Sequence, residues 1–278
     1  MKKEYSLAHL TAISTTPLEL VKIAAEAGYD YVSIRQIYLN VAGEVICDLS
    51  KDDKMLEEIE TIMKDTGLRV LDIELAKIDD SVDISSYEKA FKIGKRLGAK
   101  HVLSSIWTER YDFAVEKFAE LCDLANKYDL TVDLEAVPIA GVRNLNQAME
   151  ILKKANRKNS GLMIDTHHFQ RAQDDVNELA KIPDYWFNYS QICDATKDIP
   201  KEREELIRIM RDDRDYLGYG GIDVGKILNT MPVIPYSIEL PKKSVSDEYG
   251  YLYHAKKCLE TAKEYCEKKV MGRVLKCS

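Results

Sequence analysis

The sequence predicts an α/β barrel of eight strand–helix units, (β/α)8, in a single domain that covers residues 1–278. Candidate strands begin near residues 5, 31, 69, 101, 131, 161, 187 and 235. Most steps between them are close to the length that a strand, a crossover helix and two short loops require. The chain length of 278 residues also suits one such barrel, which typically needs about 250. No Pro/Gly/Ser-rich linker divides the chain, and no GxGxxG or GxxxxGK[ST] motif favours a nucleotide-binding doubly wound sheet instead.

A recurring junction between helix and strand supports this prediction. Gly28, Gly67 and Gly98 each follow an amphipathic segment and precede a short β-branched one, and Asp129 holds the same position in a fourth copy. Glycine adopts the left-handed conformation that ends a helix without a Cβ penalty. The four junctions therefore predict four helix ends that each turn directly into a strand.

Apolar residues at helical spacing predict the crossover helices. One stripe contains Leu145, Ala148, Leu152 and Ala155, and another contains Leu252, Ala255, Leu259, Ala262 and Cys266. The segment 161–165 is apolar up to its last residue, which is typical of a strand covered on both faces.

Composition excludes several classes of protein. The chain carries 40 Lys+Arg against 47 Asp+Glu, a net charge of −7, which disfavours nucleic acid as a partner. No apolar run approaches the roughly 20 residues that span a bilayer, and the N-terminus lacks a secretory core, so we expect a cytoplasmic protein with no membrane partner. The six cysteines show no CxxC pair and are expected to be reduced thiols, mostly buried: Cys47, Cys122, Cys193, Cys258, Cys266 and Cys277.

Polar residues close four otherwise apolar strands in the second half of the chain. They are Glu135, Asp165, Gln191 and Glu239, on predicted strands five, six, seven and eight. Reactive groups of such barrels lie at the carboxyl ends of the strands, and neighbouring strands place their ends side by side. We therefore expect these four side chains to converge.

Three converging carboxylates repel one another unless a cation lies among them. Oxygen ligands suit a divalent ion, so the sequence predicts one Mn²⁺, Mg²⁺, Zn²⁺ or Co²⁺ as cofactor. The alternative is that each carboxylate pairs with an Arg or Lys, or caps a helix. His168, three residues after Asp165, is predicted to contact substrate or to handle a proton, whereas His167 is not. Asp194 is either an anchor close to the site or an exposed loop acid.

Arginines follow the same strands. Arg143, Arg171, Arg211 and Arg214 are candidates to receive a carboxylate or phosphate of the substrate, although solvated surface arginines explain each of them as well. Trp107, on strand four, either floors the pocket or packs in the barrel. The glycine-rich segment 214–223 either cradles an anion or reverses the chain before a helix that Asp223 caps.

These residues resemble the xylose isomerase-like TIM-barrel superfamily, in particular its sugar phosphate isomerase/epimerase branch. The most specific stretches are 134–138 and 161–171, continued by 191–194 and 237–241. The resemblance implies that Glu135, Asp165, Gln191 and Glu239 hold the metal and that His168 contacts substrate. Some members have histidine at the strand-seven position, and Gln191 is more similar to hydroxypyruvate isomerase and the 3-dehydroshikimate dehydratases.

The resemblance implies an isomerase or epimerase of a small sugar or sugar-derived keto compound, which acts through an enediolate with Glu135 and Glu239 as proton-transfer groups. The alternative is a metal-dependent dehydratase of the 3-dehydroshikimate or inosose type. An endonuclease IV-like repair enzyme is disfavoured by the acidic charge and by only 5 histidines. A non-catalytic sugar-binding or scaffold protein also stays open, as does self-association through outer helices.

Overall fold

Eight parallel strands close into a barrel in the computed structural model, which describes residues 2–273. Neighbouring strands pair in chain order, and the first strand pairs with the last. The (β/α)8 prediction is confirmed. The strands are β1 (Tyr5–Leu7), β2 (Tyr31–Arg35), β3 (Arg69–Ile78), β4 (His101–Ile106), β5 (Thr131–Glu135), β6 (Ser160–Asp165), β7 (Ser190–Ile192) and β8 (Tyr236–Ile238).

Helices cover the outside of the barrel and fill its loops. They are α1 (Pro17–Ala27), α2 (Asp53–Thr66), α3 (Glu88–Arg96), α4 (Tyr111–Asn126), α5 (Leu145–Ala155), α6 (Thr166–Arg171), α7 (Val176–Leu179), α8 (Arg203–Asp212), α9 (Val224–Leu228), α10 (Lys243–Tyr249) and α11 (Tyr251–Lys269). Local signals set many of their ends. The Thr16 side chain and Glu19 form a capping box at the start of α1, and Asp223 caps α9 as expected.

Seven of the eight strands begin within one residue of the predicted positions, and β7 begins three residues later than predicted. The segment Asp184–Trp186 forms a short 3₁₀ turn after Pro183, which delays the start of β7 to Ser190. The strand register places the polar strand ends beside one another. Glu135 is paired with Met163, and Asp165 is paired with Gln191.

The four helix–strand junctions adopt the expected left-handed conformation. The φ angles are +84° at Gly28, +75° at Gly67, +76° at Gly98 and +56° at Asp129. The apolar stripes of α5 and α11 face the core, although Leu252 is only half-buried.

Two apolar clusters form the core. The larger one joins the helices to the outer face of the barrel. A smaller one consists of Leu71, Leu75, Leu103, Met163 and Tyr189. Leu75 and Leu103 also line the pocket described below, so this smaller cluster contributes to the pocket wall.

Among residues 2–273, no helix is long and apolar enough to cross a membrane. The five cysteines in this range are free thiols, four of them buried, and Cys47 is partly exposed. Cys277 lies outside the described residues.

Substitution of Gly98 tests the junction geometry. Gly98→Ala should lower the free energy of unfolding by about 1–2 kcal/mol, because an alanine at this positive φ meets no neighbour but brings its own Cβ close to the backbone. Gly98→Asn is the matched control and should cost clearly less, since asparagine tolerates this conformation, as Asn156 does at the end of α5. Urea denaturation of the two variants measures the difference. Equal losses would show that the backbone angle is not the cause.

Candidate active site at the barrel mouth

The carboxyl ends of β5 to β8 bring a cluster of buried polar groups together. Glu135, Asp165 and His168 each place a potential ligand atom within 4.8 Å of the other two. The His168 Nε2 atom lies 3.6 Å from Glu135 Oε1 and 3.9 Å from Asp165 Oδ2. All three side chains are buried, so their charges interact without the screening that water gives at a surface.

The two carboxylate oxygens of Asp165 have different partners, one at the start of α6 and the other on Arg214. Its Oδ1 atom caps α6 and accepts hydrogen bonds from the backbone N–H of His167 at 2.6 Å and of His168 at 3.3 Å. Its Oδ2 atom lies 2.7 Å from the Arg214 guanidinium. The cap fixes the orientation of the carboxylate, because an N-cap residue must direct one oxygen at the helix end.

Arg214 forms ion pairs with two carboxylates, one at the end of β6 and one just after β8. Its Nη1 atom binds Asp165, and its Nη2 atom lies 2.9 Å from Glu239 Oε2. The same side chain donates to the backbone carbonyls of Met210 and Glu239, at 2.9 and 3.1 Å. Arg214 is almost completely buried, and these bonds hold one positive charge inside the acidic cluster.

Gln191 connects to the cluster through Glu239. Its Nε2 atom donates to Glu239 Oε1 at 3.1 Å. Gln191 Oε1 and Glu135 Oε1 are buried and have no hydrogen-bond partner among the described residues. Buried polar atoms are rarely left without a partner, so both oxygens are free to accept a bond from a ligand.

Burial and mutual repulsion alter the acidity of the carboxylates. Burial, with Glu239 and Asp165 nearby, raises the pKa of Glu135 well above its usual value. Burial raises the pKa of Glu239 to about 7, although Arg214 opposes this shift. Burial also acts to raise the pKa of Asp165, but Arg214 and His168 outweigh it, so the net pKa is lowered. Burial lowers the pKa of His168 to about 4, so this imidazole is neutral at pH 7.

A cavity of about 220 Å³ opens beside the cluster. It is smaller than the roughly 300–1,000 Å³ of sites for drug-sized ligands, so it suits a small molecule. Glu135, His168 and Glu239 line it, as do Trp107 and Ser105. The remaining wall is largely apolar and includes Leu10, Ile13, Leu39, Val41, Ala42, Leu75, Leu103, Val137, Ile207 and Met210.

The predicted arginines do not all reach this cavity. Arg214 lines it but is engaged by Asp165 and Glu239. Arg143 lies in a separate surface pocket and pairs with Glu109. Arg171 is buried and donates to the backbone carbonyl of Thr196 at 3.0 Å. Arg211 lines the cavity from the last turn of α8.

Asp194 is an anchor of the glycine-rich loop. It is buried, and its two oxygens accept hydrogen bonds from the backbone N–H of Ala195, Gly218, Gly220 and Ile222, at 2.8 to 3.1 Å. The loop therefore directs these backbone donors at a side chain of the protein. A Cβ at Gly220 would lie 2.3 Å from the carbonyl oxygen of Ala195, so only glycine fits there.

A second charged cluster on β2 and β3 was missed in the sequence. Arg35 Nη2 lies 2.8 Å from Glu74 Oε2, and Arg35 Nη1 lies 3.3 Å from Glu44 Oε1. The Glu74 Oε1 atom accepts the backbone N–H of His9 at 3.1 Å. Arg35 closes β2 and Glu74 lies within β3, so polar residues on the first-half strands were the available signal.

The donor set fits a divalent ion. Glu135, Asp165 and His168 lie close enough to share one ion. Glu239 is tied to Asp165 through Arg214, and Gln191 donates its amide N–H to Glu239. Oxygen and imidazole ligands suit Mg²⁺, Mn²⁺, Co²⁺ and Zn²⁺. The two unpartnered buried oxygens support the same conclusion.

An eight-stranded parallel barrel with acidic and amide side chains at its strand ends defines a class of small-molecule enzyme sites. The chain belongs to the xylose isomerase-like TIM barrel family, whose sequence model matches residues 21–261.

Known proteins similar to this chain include the inosose isomerase of Bacillus subtilis strain 168, which is 28% identical over 267 residues, 91% of this chain and 93% of that protein. The 3-dehydroshikimate dehydratase of Pseudomonas aeruginosa PAO1 is 25% identical over 256 residues, 84% of this chain but 37% of that protein. The crystal structure of the IolI protein with a bound zinc atom superposes with a TM-score of 0.79 at 21% identity, covering 96% of this chain and 99% of that one.

Removal of the Asp194 carboxylate should destabilise the loop. Asp194→Ala is expected to lower the free energy of unfolding by about 2–4 kcal/mol, because buried backbone donors lose a charged acceptor. Asp198→Ala, at an exposed position in the segment that follows β7, is the control and should change stability little. Urea denaturation measures both. A loss below about 0.5 kcal/mol in Asp194→Ala, the range of ordinary surface substitutions, would contradict the anchoring role.

Affinity for a divalent ion should fall as the pH is lowered. The pKa of Glu239 is raised to about 7, so a proton occupies this carboxylate below pH 7 and competes with the ion, and burial also raises the pKa of Glu135. Calorimetric titration with Mn²⁺ should show roughly tenfold weaker binding per pH unit between pH 7 and 5.5 for each proton displaced. Affinity that does not change over this range would contradict carboxylate ligation by the raised groups.

Proposed function

We propose that this protein is a divalent-metal-dependent isomerase or epimerase of a small sugar or sugar-derived keto compound. The observation that carries the proposal is the position of two buried carboxylates, Glu135 and Glu239, on the border of one small cavity with a neutral histidine. The similarity to inosose isomerases of several bacilli supports the substrate class.

The two carboxylates differ in their bonding, and this difference suits proton transfer. Glu239 is bound on both oxygens, by Gln191 and by Arg214. Glu135 keeps one oxygen without a partner among the described residues. A carboxylate with a raised pKa is a better base toward a carbon acid near neutral pH than an ordinary one. We therefore assign Glu135 to remove the proton from carbon and Glu239 to return one.

The chemistry balances as a proton relocation. Glu135 takes a proton from the carbon next to the carbonyl, and the electron pair moves onto the carbonyl oxygen. When bound, a divalent ion would stabilise the negative charge on the enediolate oxygens. For epimerisation, Glu239, protonated, returns a proton to the same carbon from the other side. For isomerisation, it returns a proton to the former carbonyl carbon, and the hydroxyl proton of the deprotonated carbon moves to the former carbonyl oxygen as the new carbonyl forms.

His168 and the wall of the cavity orient the substrate. The neutral imidazole of His168 can exchange a hydrogen bond with a substrate hydroxyl without adding charge. Trp107 lines the cavity with its ring, and its indole N–H donates to Ser105 Oγ at 2.9 Å, which fixes the ring. Arg214 holds the carboxylates of Asp165 and Glu239 in place through its two ion pairs. Arg143 and Arg171 have no role in this proposal.

Dehydration is the second candidate. The enolate that isomerisation requires can instead expel a hydroxyl from the next carbon as water if a protonated carboxyl group supplies a proton. Glu239, with a pKa of about 7, is partly protonated at neutral pH and could do so. Gln191 at the end of β7 and the similarity to a 3-dehydroshikimate dehydratase favour this candidate.

A metal assay followed by a substrate panel tests the proposal. The protein, loaded with Mn²⁺, is incubated in D₂O with ketoses, inososes and 3-dehydroshikimate, and the products are followed by NMR. Solvent deuterium in an isomeric product supports isomerisation, and loss of water supports dehydration. Sugar binding without deuterium exchange or product on any compound would leave only a binding protein.

Single substitutions test the two proton-transfer roles. Glu135→Gln and Glu239→Gln should each lower kcat by about 10²- to 10⁴-fold, since each removes a general acid or base but keeps the side-chain shape. Glu120→Gln is the control, because Glu120 pairs with Lys117 on the outer helix α4. Metal content is measured for every variant. Full activity in either active-site variant would refute its assigned role.

A further inference from the structure

Arg211 differs from the other arginines of the cavity in its lack of a partner. Three guanidinium groups line the cavity: Arg35, Arg211 and Arg214. Arg35 is bound by Glu44 and Glu74, and Arg214 by Asp165 and Glu239. Within the described part of the chain, Arg211 makes no ion pair and no side-chain hydrogen bond, although it is partly buried.

The apolar surroundings of Arg211 favour an anionic ligand for its unpaired guanidinium. Ile207 and Met210, on the same helix α8, also line the cavity, and most of its other lining residues are apolar. A guanidinium beside apolar surface loses hydration and gains nothing in return until an anion arrives. A substrate carboxylate would restore that loss with charge-assisted hydrogen bonds.

The shape and charge of a single guanidinium favour a carboxylate over a phosphate as the partner of Arg211. A planar guanidinium matches a carboxylate with two parallel hydrogen bonds. A phosphate carries up to two negative charges, and among residues 2–273 it would meet one cavity arginine without an ion pair. Asp212 also lines the cavity, but it is exposed, so solvent screens its repulsion of an anion.

We propose that Arg211 binds a carboxylate of the substrate and makes the site selective for a small anionic hydroxyketone over an uncharged one. This inference rests on the proposed function for the identity of the reacting end, which Glu135 and Glu239 border. It adds a second contact: Arg211 lines the same cavity as these two carboxylates, so one small molecule in the cavity can meet both its reacting groups and Arg211.

A matched pair of ligands tests Arg211 without turnover. 3,4-Dihydroxybenzoate and catechol present the same two adjacent oxygens and differ in one carboxylate. Calorimetric titration of the Mn²⁺-loaded protein should show that the benzoate binds roughly ten- to a hundredfold more tightly, the range that a charge-assisted hydrogen bond supports. Equal affinity for the two compounds would overturn the proposal.

Variants on one helix locate the effect. Arg211→Met should remove the preference for the benzoate and leave catechol affinity unchanged, and Arg211→Lys should retain part of it. Arg208→Met is the control, because Arg208 lies on the same helix but pairs with Glu205 and Asp213 on the outside. An Arg211→Met protein that still prefers the benzoate would refute the role of Arg211.

The outcome separates this inference from the proposed function. If no compound of the panel is turned over but Arg211→Met loses the carboxylate preference, the inference stands and the proposed reaction falls. If Glu135→Gln abolishes turnover of a substrate while Arg211→Met alters neither its KM nor the ligand preference, the reaction stands and the inference falls.

Discussion

The structure of the barrel mouth depends on how the protein stabilises three buried carboxylates that lie close together. Glu135, Asp165 and Glu239 all lie at the strand ends with almost no exposure. Desolvation and mutual repulsion both oppose their ionisation, and removal of a single partner from such a cluster is costly. Arg214 offsets part of this cost because it binds two of the carboxylates at once. The remaining negative charge and the unpartnered oxygens leave a site that a small dication would complete.

This charge balance depends in turn on backbone geometry far from the strands. Arg214 lies at the start of the glycine-rich loop, and Asp194 holds that loop through its backbone N–H groups. The backbone of Arg214 also donates to the carbonyl of Pro241, which follows β8. The carboxylate of Asp194, which follows β7, therefore holds the loop that begins at Arg214, and Arg214 is held in turn by its own bonds to the ends of β6 and β8. Asp165 adds a second constraint, since its cap on α6 leaves it only one oxygen for the site.

The fold was predictable because its signals are local and repeated. Gly28, Gly67 and Gly98 each end a helix by the same left-handed turn. The regular alternation of helix and strand and the length of the chain then leave few possible topologies. The strand-end carboxylates were visible because each interrupts an apolar run. The partners of charged side chains were not visible in this way. Which arginine pairs with an acid and which is left free depends on loop paths of tens of residues, so the sequence grouped Arg143, Arg171, Arg211 and Arg214 together while the structure separates them.

The barrel and its loops contribute different parts of the site, and they differ in how firmly their residues are fixed. The carboxylates and Gln191 are set by strands, whose register leaves little freedom. The cavity wall facing them comes largely from loops and from α8, which packs only Ile209 into the core. A helix held by so few buried contacts can change its exposed residues at little cost in stability. In the reaction proposed above, enolisation belongs to the strand-end side chains, whereas the proposed choice of substrate charge belongs to α8 and the neighbouring loops.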